Sequence, residues 1–208
     1  MLPGPIVAIE TGTFQGDTSA LLAGAFGRRI TIERSAQLAR DARARFANDS
    51  RVTALEGSSQ NALADALPQA PGSGFLWLDA HRFYDFDGAD TVENPLLTEL
   101  ELVMNARSGQ PCVIAVGDTR GMGVQPDWPS QASVCGVLEA NGYAAAIIDD
   151  VLVAAPRILA PDFYALYGAS RVVEVSAVFH IWSRVVQLAR LRSWSNRSVV
   201  TVKRRIGR

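Results

Sequence analysis

The sequence is poor in the residues that build disulfide frameworks and structural metal sites. Its 208 residues include two cysteines and two histidines, and these four are scattered along the chain. A disulfide framework needs a larger even set of cysteines, and a structural zinc site needs four clustered Cys or His ligands. Both classes are therefore excluded. Cys112 and Cys135 lie among apolar or small residues and are predicted to be buried free thiols.

Long apolar runs and a basic amino-terminal segment are also lacking. No apolar stretch approaches the 18 residues that indicate a membrane-spanning helix. The first five residues, Met1 to Pro5, do not have the form of a signal peptide. We therefore expect a cytoplasmic protein.

Charge is nearly balanced overall but unevenly distributed. The net charge is −1, from 20 Lys or Arg and 21 Asp or Glu. Residues 157–208 hold ten basic and two acidic residues, so the rest of the chain is acidic. This shift in composition lies beside Pro156 and Pro161. It predicts a domain of residues 1–156 followed by a basic extension of residues 157–208.

Short apolar runs alternate with helical patterns through the first domain. The candidate strands are 6–10, 29–33, 51–55, 74–79, 111–117, 143–148 and 151–155, and the candidate helices are 17–26, 35–47, 59–67, 92–107 and 130–141. Such alternation predicts βαβ units and a mostly parallel sheet. Only two residues separate the last two strands, and so short a connection joins antiparallel neighbours. We therefore expect an antiparallel strand near the end of the sheet.

A glycine-containing turn follows the first candidate strand. Residues 6–9 are apolar, Glu10 is acidic, and Gly12 and Gly16 precede a helical stretch. Ligands of open α/β sheets bind at the carboxyl ends of the strands, where such turns lie. The spacing does not match the G-x-G-x-x-G fingerprint of dinucleotide-binding proteins. A carboxylate before the first glycine suits a cationic or hydroxyl-bearing ligand better than a diphosphate.

Acidic residues also end three later strands. Glu33 closes the second strand, where a carboxylate can accept two hydrogen bonds from ribose hydroxyls. Asp79 closes the fourth, with His81 two residues beyond, and Asp118 follows the fifth. Two carboxylates at neighbouring strand ends can hold a hard divalent cation.

These motifs together resemble a known family. Residues 10–19 are similar to motif I of class I S-adenosylmethionine-dependent methyltransferases, in its E-x-G-T-x-x-G-x-[ST] form. Leu78-Asp79-Ala80-His81 and residues 94–101 resemble the L-D-[AG]-H and T-P-L-x-x-E-L-E motifs of small bacterial O-methyltransferases. Residues 116–120 match part of I-D-D-A-R. The resemblance covers residues 5–155, and it implies a Rossmann-like, doubly wound sheet of seven strands.

The resemblance also implies a cofactor and its contacts. S-adenosylmethionine would place its methionine part in a pocket shaped by Glu10, Gly12 and Gly16. Thr13, Phe14 and Thr18 would be further cofactor contacts. Glu33 would hold the ribose, and Asp79 would face the methyl donor. Ser58 stands where relatives carry an aspartate near the adenine, so it would bind adenine or serve only as the amino-terminal cap of the helix at 59–67.

Two ways of activating an acceptor hydroxyl remain open. Asp79 and Asp118 would bind Mg²⁺, as the acids after strands four and five do in catechol-type O-methyltransferases. Gly117 stands where relatives carry a first aspartate, so a metal-free route is preferred. In that route His81 is the general base and Asp79 orients the ring or the substrate. His81 is equally well interpreted as a polar loop residue.

The basic extension has the pattern of an amphipathic helix over residues 171–194. It would pack on the sheet or on a second subunit, or lie on the anionic inner face of a membrane, and we prefer the first. No motif indicates nucleic-acid binding.

Methyl transfer to an oxygen of a small molecule or glycan precursor is the preferred function. One alternative is a non-catalytic binding module of the same fold that docks on a membrane or protein partner through its basic extension. The other is a nucleotide-sugar or NAD enzyme.

Overall fold

Seven strands form one mixed sheet in the computed structural model of the protein, which describes residues 7–70, 74–81, 94–106, 110, 112–148 and 150–157. The strands are β1 (Val7–Thr11), β2 (Arg28–Glu33), β3 (Val52–Glu56), β4 (Gly74–Leu78), β5 (Cys112–Val116), β6 (Tyr143–Ile148) and β7 (Val151–Pro156). Their order across the sheet is β3-β2-β1-β4-β5-β7-β6. All seven predicted strands are therefore confirmed.

Strand β7 alone runs against its neighbours. It pairs antiparallel with both β5 and β6, whereas the pairs among β1 to β5 are parallel. The prediction of one antiparallel strand near the end is confirmed. This strand is the last of the described strands along the chain but the second from the edge of the sheet, because β6 takes the edge position.

Five α-helices connect the strands. They are α1 (Asp17–Leu22), α2 (Ala36–Arg45), α3 (Ser59–Ala66), α4 (Leu96–Ala106) and α5 (Gln131–Ala140), with short 3₁₀ turns at Leu67–Gln69 and Thr119–Gly121. Helix α1 ends earlier than predicted, in a turn that contains Gly24 and leads to the buried Phe26. Glycine weakens a helix by about 1 kcal/mol relative to alanine, which favours the early end.

Helix α4 starts at Leu96, although the sequence pattern predicted a start at residue 92. The side chain of Asn94 accepts a hydrogen bond from the Leu96 amide at 3.0 Å, so Asn94 caps the helix. Pro95 follows this cap and disfavours a helical conformation in the residue before it. The predicted residues 92 and 93 lie outside the described part of the chain.

The sheet order reverses at β1, which lies between β2 and β4. In a doubly wound sheet this reversal opens a crevice at the carboxyl ends of the strands. Because β1 to β5 are parallel, the residues that follow them all meet at that edge. The candidate residues after β1, β2, β4 and β5 are therefore brought to one side of the molecule.

In the described part of the chain neither cysteine forms a disulfide, as predicted. Cys112 is buried as expected, whereas Cys135 is only partly buried. None of the helices in the described part of the chain is long and apolar enough to cross a membrane. The predicted amphipathic helix at 171–194, and the extension beyond Arg157 that contains it, lie outside the described residues. Their structure and partners remain predictions.

Candidate functional site

The turn after β1, residues 12–16, is held against β2 by its backbone and is called the glycine turn below. The amides of Gly12 and Thr13 both donate to the carbonyl of Ile32, at 2.9 and 3.2 Å. Gly12 has a φ of 82°. A Cβ at that position would lie 2.3 Å from the backbone oxygen of Asp79. Glycine is thus required here because the end of β4 passes directly beside the turn.

Glu33 lies beside the glycine turn, as the sequence predicted for a residue that ends β2. One oxygen of its carboxylate accepts from the Phe14 amide at 2.8 Å, and the other accepts from the Ser35 amide at 2.9 Å. Phe14 itself has a left-handed conformation, with a φ of 48°. Each carboxylate oxygen can accept more than one hydrogen bond, so Glu33 keeps capacity for a ligand hydroxyl.

Glu10 is buried between β1, β2 and α1. Its carboxyl accepts hydrogen bonds from the Ser19 hydroxyl and, at 2.6 Å, from the Thr31 hydroxyl. Thr31 also lies 2.6 Å from the hydroxyl of Thr13 in the glycine turn. Burial raises the pKa of Glu10 to about 7, although the two hydroxyls oppose the shift. Glu10 therefore reaches the turn through a chain of hydroxyl groups.

The far end of the glycine turn is held by helix α2. Gly16 caps α1 with a φ of 83°, and a Cβ there would lie 3.0 Å from the ring of Phe46. Arg45 donates to the Gln15 carbonyl and pairs with Asp17 at 2.7 Å. Thr18, another predicted cofactor contact, is half-buried in the first turn of α1. These contacts fix where α1 begins.

Ser58 occupies the amino-terminal cap position of α3, but its side chain makes no capping hydrogen bond. The neighbouring amide of Gly57 donates to the carbonyl of Glu33 at 2.8 Å. This bond places Ser58 next to the end of β2. Its adenine contact remains a prediction, and its side chain does not serve the capping alternative.

Asp79, His81 and Asp118 come together at the ends of β4 and β5, and we call them the carboxylate–imidazole cluster. His81 Nε2 lies 3.2 Å from Asp79 Oδ1 and 3.9 Å from Asp118 Oδ2. One potential ligand atom from each residue lies within 4.8 Å of the others. The side chains of Asp79 and Asp118 are 30% and 29% exposed, whereas that of His81 is 1% exposed.

The imidazole of His81 packs edge-on against Trp128, with ring centroids 4.3 Å apart. Within the described part of the chain, neither ring nitrogen makes a hydrogen bond. A general base must come within hydrogen-bond reach of the proton that it removes. The burial of His81 therefore favours an action on the acceptor through the two carboxylates rather than by direct contact.

Glu99 is a further candidate residue of the functional site, and the sequence analysis did not assign it a role. It lies on α4 with its carboxyl buried, and burial raises its pKa. The hydroxyls of Ser59 and Thr11 are near enough to oppose that rise but do not reach hydrogen-bond geometry with either oxygen. The charge of His81 also acts on it. The sequence does place this acidic residue among the apolar positions of a helix, and that pattern could have indicated a buried carboxyl.

Solved structures resemble this chain in fold. An O-methyltransferase from Bacillus cereus, solved in complex with SAH, matches with a TM-score of 0.55 and 17% identity, over 74% of each chain. A proposed rRNA methylase from Clostridium thermocellum matches with a TM-score of 0.52 and 13% identity, over 73% of this chain and 88% of its own. The fold is that of the class I S-adenosylmethionine-dependent methyltransferases. No family model and no curated protein matches the sequence.

Within this methyltransferase fold, the candidate residues lie in two groups. The glycine turn, Glu33 and Ser58 surround the carboxyl ends of β1 and β2. The carboxylate–imidazole cluster lies at the ends of β4 and β5. The fold that the resemblance implied is confirmed, and the ligand contacts of the individual residues remain predictions.

The donor atoms of the cluster fit Mg²⁺ poorly. Magnesium prefers octahedral coordination by oxygen, and it is bound in proteins mostly through carboxylates and water. The cluster offers two carboxylates and one imidazole nitrogen. Gly117 supplies no ligand where the resemblance led us to expect an aspartate. The residues present therefore favour a cation that accepts nitrogen ligands.

Proposed function

We propose that the protein transfers a methyl group from S-adenosylmethionine to an oxygen of a small molecule or glycan precursor. The supporting observation is the position of Glu33. Its carboxylate lies at the carboxyl end of β2 and is bound to the Phe14 amide of the glycine turn. In nucleotide-binding sheets an acid at this place accepts hydrogen bonds from ribose hydroxyls.

The donor side of the proposed site consists of the glycine turn, Glu33 and Ser58. The turn binds the methionine part of the cofactor at the carboxyl end of β1, and Gly12 lets the turn pack directly against the end of β4. Glu33 holds the ribose. The buried Glu10 is linked to the glycine turn by hydrogen bonds through the hydroxyls of Thr31 and Thr13, and these bonds stabilise the turn.

The acceptor side consists of the carboxylate–imidazole cluster. In the transfer the bond between sulfur and the methyl carbon breaks while a bond forms from the acceptor oxygen to that carbon. The proton of the acceptor hydroxyl is transferred to the carboxylate–imidazole cluster. The partly exposed Asp79 contacts the acceptor, and the buried His81 positions Asp79. Holding the two reactants in line supplies the main rate enhancement.

Calorimetric titration of the full-length chain with S-adenosylmethionine tests the proposal. Binding at micromolar concentration is expected, together with no binding of NAD under the same conditions. NAD binding without S-adenosylmethionine binding would overturn the proposal and favour the nucleotide alternative.

Transfer itself is tested with S-adenosylmethionine that carries a labelled methyl group and a set of hydroxyl-bearing acceptors. Label in the acceptor supports the enzyme. Cofactor binding with no transfer to any hydroxyl class would support the non-catalytic binding module instead.

A further inference from the structure

Three potential ligand atoms converge at the ends of β4 and β5. One ligand atom from each of Asp79, His81 and Asp118 lies within 4.8 Å of the others, and His81 Nε2 is 3.2 Å from Asp79 Oδ1 and 3.9 Å from Asp118 Oδ2. They come from two strand ends that the sheet holds side by side, since β4 and β5 are paired in parallel. The convergence therefore rests on the sheet rather than on one flexible loop.

Each carboxylate is anchored through its other oxygen. The indole Nε1 of Trp77 donates to Asp79 Oδ2 at 3.2 Å. The guanidinium of Arg120 pairs with Asp118 Oδ1 at 2.7 Å. Such outer partners orient the ligands of metal sites and leave one oxygen of each carboxylate free to bind. Here the oxygens that remain are the two that face His81.

The third group is a buried imidazole without a hydrogen bond to any described residue. Its side chain is 1% exposed, and neither ring nitrogen has a hydrogen-bond partner among residues 7–70, 74–81, 94–106, 110, 112–148 and 150–157. Buried polar atoms in proteins are nearly always satisfied, and an exception requires an explanation. Nε2 lies 3.2 Å from Asp79 Oδ1 and 3.9 Å from Asp118 Oδ2, and these oxygens cannot donate when ionised. A cation bound between the three groups would satisfy them together.

Gly117 leaves the room that this arrangement needs. A Cβ at position 117 would lie 2.3 Å from Asp79 Oδ1, the oxygen that faces His81. Any larger residue would push the Asp79 carboxylate out of the cluster. The glycine that removes an expected oxygen ligand thus admits the carboxylate–imidazole pair.

We propose that Asp79, His81 and Asp118 bind one divalent first-row transition cation, such as Mn²⁺, Fe²⁺, Co²⁺ or Zn²⁺, in preference to Mg²⁺. Imidazole suits these cations, and the affinity of a given site rises along the series from Mn²⁺ to Cu²⁺ and falls again at Zn²⁺. Cation binding can be measured without a cofactor or an acceptor, so this proposal is tested independently of the proposed methyl transfer.

The distances set how far the cluster must move. Ligands about 2.1 Å from a tetrahedral cation are roughly 3.4 Å from one another. The three atoms lie within 4.8 Å of one another, so the carboxylates must shift inward by about an ångström or less. Arg120 already neutralises part of the charge on Asp118, which weakens binding of a hard cation held by charge alone.

Direct measurement of bound metal tests the proposal. The full-length chain is stripped with EDTA, dialysed against each cation in turn, and analysed for metal content without any cofactor. We expect one Co²⁺ or Zn²⁺ per chain and at least tenfold weaker binding of Mg²⁺. Pulsed EPR of the Mn²⁺-loaded chain should show coupling to an imidazole nitrogen. Equal affinity for Mg²⁺, or no coupling to nitrogen, would overturn the proposal.

Variants locate the site. Asp79→Asn and His81→Gln should each weaken Co²⁺ binding by more than the roughly tenfold loss usual for an outer partner. Their matched controls are Asp127→Asn, at an exposed carboxylate, and His180→Gln, at the other histidine of the chain. Both controls should bind Co²⁺ like the unaltered chain.

Binding of S-adenosylmethionine to the same variants separates the two proposals. Retained cofactor affinity in His81→Gln after loss of Co²⁺ binding shows that this variant is folded and that the imidazole serves the cation rather than the cofactor. Unchanged Co²⁺ affinity in His81→Gln would instead assign the imidazole to a protonated ion pair with the two aspartates and end the metal proposal.

Discussion

The donor and acceptor sides of the crevice differ in how their polar groups are satisfied. On the donor side, Glu33 accepts two backbone amides through its two oxygens. Glu10 accepts two hydroxyls through one oxygen, and its other, buried oxygen has no hydrogen bond within the described residues. On the acceptor side, neither nitrogen of the buried His81 has a hydrogen bond within the described residues. The donor side is thus held largely by hydrogen bonds among its own groups, whereas the imidazole of the acceptor side is not.

This difference indicates two kinds of site. Preorganised hydrogen bonds reduce the cost of ordering when a ligand binds. Buried polar groups without partners are expensive, and they are retained where a ligand or an ion completes them. We therefore expect cofactor affinity at the donor side to fall when the backbone of the turn is distorted. We expect cation affinity at the acceptor side to fall when a ligand atom is removed.

The largest effect is expected from Gly12→Ala. A left-handed conformation costs an ordinary residue about 1–2 kcal/mol, and the new Cβ would also collide with the carbonyl of Asp79. Displacement of the turn should weaken S-adenosylmethionine binding roughly 100-fold or more in calorimetry. The control is Gly136→Ala in α5, where a Cβ meets nothing within 4 Å. Near-normal affinity in Gly12→Ala would show that the donor side is not preorganised.

Glu10→Gln should change how stability depends on pH. The pKa of Glu10 rises from 4.5 to about 7 on folding, so its favourable contribution is complete below pH 4.5 and is lost as pH rises through about 7. At about 1.4 kcal/mol per pKa unit, the variant should gain on the order of 3 kcal/mol relative to the unaltered chain between pH 4.5 and 8. Urea unfolding at a series of pH values measures this gain. A difference that stays constant with pH would contradict the buried position of Glu10.

Glu33→Gln should weaken S-adenosylmethionine binding about 10- to 100-fold, because hydrogen bonds to a charged group contribute about 1.5–3 kcal/mol. Glu56→Gln is the matched control. Glu56 pairs in register with Glu33 at the end of β3, is exposed, and forms an ion pair with Arg43 at 3.1 Å. That change should alter affinity by about twofold at most. Equal effects of the two variants would remove Glu33 from the cofactor site.

The smallest effect is expected from Trp77→Phe, which removes the indole donor that anchors Asp79. Loss of such an outer partner should weaken Co²⁺ binding roughly tenfold. Binding of S-adenosylmethionine should stay within about twofold, since Trp77 makes no contact with the glycine turn in the interactions described. A parallel loss of cofactor affinity would show that the two sides are not independent.

Much of the fold follows from local patterns in the sequence. Each of the five parallel strands is a short apolar run, and the two-residue link before β7 requires an antiparallel pair. The position of the site at one edge of the sheet can also be predicted from the sequence, because the carboxyl ends of parallel strands lie at the same edge. Glu33, Asp79 and Asp118 were placed in this way, and the structure brings each of them to that edge.

The remaining features depend on contacts between distant residues. The position of Glu10 beneath α1 depends on Ser19 and Thr31, and the role of Glu99 depends on neighbours from β1 and α3. A carboxylate after a strand has the same local pattern whether it points into the crevice or into the interior. The burial of His81 likewise depends on Trp128, which lies 47 positions further along the chain.

The close approach of position 117 to Asp79 also limits how this site can change by mutation. A Cβ at 117 and the present carboxylate of Asp79 cannot occupy their positions together. Gly117→Asp would restore the paired aspartates of the I-D-D-A-R motif. The same change would displace the carboxylate of Asp79. The effects of changes at 79 and 117 should be strongly non-additive.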